Sequence, residues 1–159
     1  MIFWRKKKDR PEKLKAQSIV PMKKRVYPPK IKLAWMKALE GNTEITEWLI
    51  QNGFKELAMC NQAILLKEEA REWLMHNGFP HLMAFVNAAE GNGKAADWLS
   101  KAGMLEYFHM SQCIENQQES WQWLKENSTE DVFLLTKTIK KIKDQIEEDH
   151  NDIHTWSVD

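Results

Sequence analysis

Hydrophobic and polar positions recur on a fixed beat through the middle of this chain. Trp48, Trp73, Trp98 and Trp123 stand 25 residues apart, and Leu49, Leu74, Leu99 and Leu124 follow them. Small residues fill a second column at Ala38, Ala63, Ala88 and Cys113. Trp35, Cys60, Phe85 and Met110 make a third, and Leu39, Ile64, Ala89 and Ile114 a fourth. Such agreement at constant spacing predicts a structural repeat, with units 29–53, 54–78, 79–103 and 104–128.

Each unit reads as two helices. The first covers about a dozen residues, such as Lys30–Glu40, with its apolar columns three and four apart on one helical stripe. The second is shorter, such as Thr43–Gln51, with Ile45, Trp48 and Leu49 on one face. Gly41-Asn42 and Gly91-Asn92 supply the turn between them: the glycine ends one helix and the asparagine caps the next. Units two and four carry Leu66-Lys67 and Asn116-Gln117 there, a less obvious break. Gly53, Gly78 and Gly103 end the second helices, and Phe54, Phe79 and Met104 are placed to fold back over them.

A lone hairpin cannot bury its apolar face, whereas stacked hairpins close one another's cores. The Trp–Leu pairs are therefore expected as buried wedges between units, not as a ligand platform. After Ser128 the beat stops. Val132, Leu135, Ile139, Ile142 and Ile146, spaced 3, 4, 3 and 4, predict a narrow seam on a helix over 129–148, followed by a polar tail over 149–159. The simplest role for this helix is to cap the last unit; pairing of two seams in a weak homodimer is the alternative. The expected fold is all-α: a right-handed-type α-solenoid of four 25-residue helix–turn–helix repeats with a C-terminal capping helix.

The stretches "KALEGNTEITEWLIQNG" (37–53) and "NAAEGNGKAADWLSKAG" (87–103) resemble the helical half of an ankyrin repeat. Both have small residues before a Gly-polar turn, a helix with a leucine near its end, and a second glycine. The unit is about eight residues shorter than an ankyrin repeat of ~33, which leaves no room for the projecting β-hairpin. The resemblance implies a scaffold that binds another protein.

Composition adds one feature that the periodicity does not show. The 159 residues are formally neutral, 43% hydrophobic and 29% charged, as expected of a single domain. Residues 1–32, however, hold twelve Lys/Arg against Asp9 and Glu12, a net +10, so the remainder carries −10. A basic arm over 1–28, containing Pro11, Pro21 and Pro28 and expected to be largely irregular, thus precedes an acidic body. Glu44, Glu69 and Glu119, with Glu47, Glu72 and Asp97, read as the solvated outer face of that body.

No stretch approaches the roughly 18 apolar residues of a membrane span. Met1–Trp4 is too short for the apolar core of a signal peptide. Cys60 and Cys113 lie far apart without a CxxC pattern and read as reduced, apolar filler. A cytoplasmic protein is expected.

Candidate chemistry is sparse. His76, His81, His109, His150 and His154 form no recognisable catalytic or zinc motif, although His81 and His109 fall on adjacent first helices. "EEDHNDIH" (147–154) puts two histidines four apart, at a terminus where fraying is the rule. No phosphate-binding loop, dinucleotide glycine pattern or nucleophile elbow is present. No catalytic residue, metal or cofactor is expected.

The leading expectation is a non-enzymatic protein–protein interaction module. Its partner would lie on the exposed face of the first helices, at Lys37, Met59, Gln62, Asn87, His109 and Gln112. These columns vary in chemistry on a constant frame. The alternative is binding of nucleic acid or an anionic membrane through the arm, at Arg5, Lys6, Lys7, Lys8, Arg10, Lys23, Lys24 and Arg25.

Overall fold

The computed structural model describes residues 21–155, with side chains as far as Asp152. The described residues form nine α-helices and no strand: α1 (Pro29–Leu39), α2 (Thr43–Gln51), α3 (Lys55–Ile64), α4 (Glu68–His76), α5 (Pro80–Ala89), α6 (Gly93–Lys101), α7 (Leu105–Ile114), α8 (Gln118–Asn127) and α9 (Glu130–Thr155).

Local chemistry accounts for most of the boundaries. Pro29 and Pro80 open α1 and α5, where a missing N–H costs nothing. Asn42 and Asn92 accept from the backbone N–H of Ile45 and Ala95, each at 3.0 Å, capping α2 and α6. Leu66 and Asn116 take the left-handed conformation, with φ of 68° and 67°, at the positions that Gly41 and Gly91 hold in the other two hairpins. The chain turns alike in all four places, although only two of them have the glycine.

The odd-numbered helices are the buried ones. α1 packs on α3, α3 on α5, α5 on α7 and α7 on α9, and α9 returns to α1. These five close on themselves around a shared core that includes Trp35, Leu57, Phe85, Met110, Leu135 and Ile139. The even-numbered helices lie outside, each between two inner neighbours: α2 between α1 and α3, α4 between α3 and α5, α6 between α5 and α7, α8 between α7 and α9.

α9 therefore does more than cover the last hairpin. It extends to Thr155, past the end expected at 148, and touches α1 as well as α7 and α8. Lys32 on α1 pairs with Asp131 at its start, 2.9 Å apart. Near its middle, the Lys143 ammonium donates to Glu90 at 2.7 Å and to the Ile64 carbonyl at 3.4 Å. Val132, Leu135 and Ile139 are buried inside the chain, so that half of the seam is not free to meet a second copy.

The tryptophan wedges are not as expected. Leu49, Leu74, Leu99 and Leu124 are essentially sealed, but Trp48 and Trp98 are 46% and 40% exposed. Trp48 stacks on Phe54 and Trp73 on Phe79, with near-parallel rings about 6 Å apart, closing each hairpin over the residue that starts the next. Adjacent residues on a helix point about 100° apart, so where the leucine faces fully inward the tryptophan stands to its side: Trp73 and Trp123 still pack against the core, whereas Trp48 and Trp98 are exposed.

Candidate interaction surface

The six first-helix residues do not line an open inner face, because their helices pack on one another and on α9 there. They turn toward the outer helices. Lys37 and Gln62 are exposed, and Lys37 lies 3.8 Å from Glu40. Met59 is half-buried against the core. Asn87 accepts from Arg71 of α4. His109 stacks on Trp123 of α8 at 4.1 Å and hydrogen-bonds Ser120 at 2.9 Å. Gln112 sits in a groove between α6 and α7. His81 and His109 are not brought together: His81 meets the rings of Phe79 and Tyr107.

Lys37, Gln62, Asn87 and Gln112 form one column, in which Asn87 meets Arg71 of the preceding outer helix and Gln112 borders a groove between α6 and α7. The contents of these seams differ. Between α4 and α5, Arg71 lies across the groove, only 14% exposed in its side chain, with its guanidinium on Asn87 and on both oxygens of Glu90 at 2.7 and 2.8 Å. Burial pushes the Glu90 carboxyl up, but the hydrogen bonds and charges of Arg71 and Lys143 outweigh it and hold the group below its ordinary range. Between α8 and α9, Trp121 meets Phe133 edge-on at 5.1 Å. Between α6 and α7 the corresponding outer residue is Ala96, and an open groove of about 300 Å³ remains, lined by Gly91, Ala96, Asp97, Phe108, Gln112 and Glu115 among others.

Sequence reasoning missed Arg71, Glu90, Ala96 and Glu115. The signal was present in the 25-residue register: the column Thr46, Arg71, Ala96, Trp121 changes size abruptly, while Glu90 and Glu115 keep the carboxylate.

Residues 21–28 have no regular structure but are docked. The Lys23 N–H donates to the Gly78 carbonyl at 2.7 Å. Arg25 donates to the Gly53 carbonyl and to Glu56, and Tyr27 donates to Glu56 at 2.8 Å. Lys23 and Arg25 also lie over the Phe79 ring. Of the residues singled out for polyanion contact, Lys23 and Arg25 are thus engaged with the body and Lys24 is exposed; Arg5, Lys6, Lys7, Lys8 and Arg10 lie outside the described residues. Beneath this strap, Tyr27, Lys32, Trp35, Tyr107, Met110 and Leu135 help to enclose a cavity of about 130 Å³.

Burial favours the neutral forms of the tyrosines, cysteines and His81 around the core. Burial raises the Tyr27 and Tyr107 hydroxyls and the Cys60 thiol, and pushes the Cys113 thiol up to about 12. Both cysteines are free. Burial, assisted by the Lys24 charge, lowers His81 to about 4. The uncharged His81 imidazole beside the unionised Tyr107 phenol is not an activated nucleophile–base pair. Among the described residues no group of three His, Cys, Asp or Glu is arranged to hold a metal ion, and no helix is long and apolar enough to cross a membrane.

No family model, curated protein or solved structure matches the chain.

Proposed function

We propose that the protein is a non-enzymatic protein-interaction module, an ankyrin-like stack of four helical hairpins whose ends are joined by α9. The observation that carries this reading is the unfilled groove between α6 and α7. It has an aromatic lining residue and polar walls, and the same position one repeat earlier is filled by the chain's own Arg71. Exposed Gln62 and Lys37 continue the same column away from the groove. The partner contact therefore lies along the seams between outer and inner helices, not inside the ring.

The test is affinity capture from a lysate, in the presence of nuclease, with the full chain beside a Gln112→Arg/Asp97→Lys variant. A protein partner retained by the wild type and lost by the variant is the expected result. Retention of every partner by the variant would sink the reading. Capture that vanishes with nuclease, or only on removal of residues 1–20, would favour polyanion binding by the arm instead.

A further inference from the structure

We propose that the groove between α6 and α7 is a receptor for an arginine side chain presented by a partner protein. The molecule contains its own occupied version of this site. On α4, Arg71 lies in the groove toward α5, with one guanidinium nitrogen on the Asn87 side-chain oxygen and another on both oxygens of Glu90. Moving each residue forward by 25 positions gives Ala96, Gln112 and Glu115. The amide and the carboxylate are kept. The arginine that satisfies them is replaced by a methyl group, and a groove of about 300 Å³ opens where its side chain would lie.

The acceptors of the open site are poised but unused. Among the described residues the Glu115 carboxylate has no hydrogen bond or ion pair, and it is raised above its ordinary value by burial and by the nearby Glu147, against the pull of Lys140 and Lys143. Glu90 has the opposite shift because the Arg71 guanidinium and the Lys143 ammonium are already on it. The side-chain oxygen of Gln112 accepts no hydrogen bond, and its amide nitrogen makes only a 3.5 Å contact with Ser111. Asp97 adds a second carboxylate to the rim, and Phe108 adds an aromatic surface, both favourable to a cation. The Glu115 carboxylate lies over Gly91, where an added Cβ would stand 3.4 Å from its Oε2. An amide and a carboxylate side by side match the planar fork of a guanidinium, which can donate to both at once, whereas a lysine ammonium is a point charge.

This deepens the interaction reading and rests on it for the nature of the partner, but the pocket can be tested without a partner. The full chain, labelled with nitrogen-15, is titrated with N-acetyl-arginine amide and, separately, N-acetyl-lysine amide. Saturable shifts at the Gly91 and Gly93 amides and the Gln112 side chain are expected for arginine, at least severalfold tighter than for lysine. Glu115→Gln should weaken arginine binding about tenfold, the loss expected for one charge-assisted hydrogen bond. Ala96→Arg, which supplies the side chain from within, should abolish binding and raise Tm; if that variant does not fold, Gln112→Leu serves in its place. Equal response to lysine, or unchanged binding in Glu115→Gln, would overturn the proposal. A chain lacking residues 1–20 should titrate identically. Tighter binding in that chain would mean that the arm's own arginines occupy the groove, and would overturn the assignment to a partner. A silent groove with a protein still captured would remove the arginine site and leave the interaction reading standing; the converse would do the reverse.

Discussion

Leu66 and Asn116 show how far a fold can override a residue's preference. Both sit at left-handed φ, where an L side chain is strained by about 1–2 kcal/mol and glycine is not. Asn tolerates this region and Leu does not, yet the two-helix turn needs it in all four hairpins. The Leu66 side chain is 54% exposed and contributes little packing. Leu66→Gly is therefore expected to stabilise the protein by about 1 kcal/mol, or a few degrees in Tm, read by thermal denaturation. A lower Tm would mean that Leu66 packs against more than its exposure suggests. At this scale the sequence was legible where a residue had one role. The leucine column was read as buried, and it is. The tryptophan column, read as buried too, divides: Trp73 and Trp123 pack against the core, as expected in part, while Trp48 and Trp98 are exposed, because size and hydrophobicity do not reveal which of two adjacent apolar residues the helix turns inward.

Among the elements, α9 carries the lesson. Its apolar seam was plain from the 3, 4, 3, 4 spacing, and so was its helical character. Which helices it would meet was not. A cap needs contact with α7 and α8 alone; this helix also closes against α1, with Lys32 and Asp131 pinning its start. Ile139, fully buried, lies at the middle of the seam. Ile139→Ala should cost roughly 2–5 kcal/mol, as for other large-to-small core changes. Hydrogen exchange should quicken in α1 together with α7. If only α7 and α8 lose protection, α9 is a cap after all. The groove contents belong to this scale as well. Arg71 and Ala96 occupy one register position on two outer helices, and that single difference separates a filled seam from an open one.

For the whole molecule, the closed arrangement places a histidine where water cannot reach it. His81 is 2% exposed, between Phe79 and Tyr107, with Lys24 of the strap nearby. Its pKa is about 4 in the fold against 6.5 in an unfolded chain. Between those values the unfolded chain binds a proton that the native one refuses, so stability is fully present above pH 6.5 and declines as pH falls toward 4. The loss is on the order of 2–3 kcal/mol. Urea denaturation at pH 7 and pH 4.5 should show it, and His81→Phe, which keeps an aromatic ring, should remove most of it. A variant with the wild-type decline would place the cause elsewhere. Glu90, held low by Arg71 and Lys143, and Asp131, held low by Thr129 and Lys32, contribute a further decline only below their ordinary values near 4.5 and 3.8.

The sequence by itself determined the all-helical class, the helix ends of the hairpins within a residue or two, the leucine core and the acidic outer face. Each of these depends on residues within about four positions of one another, through capping, turn conformation and the helical period. Only the tertiary structure decided that α9 returns to α1, that residues 21–28 strap the hairpins together, and that the seam between α6 and α7 stays open. These depend on contacts such as Lys143 to Ile64, 79 positions apart. Such meetings follow from small rotations between successive hairpins, which accumulate along the chain and leave no mark in any single unit.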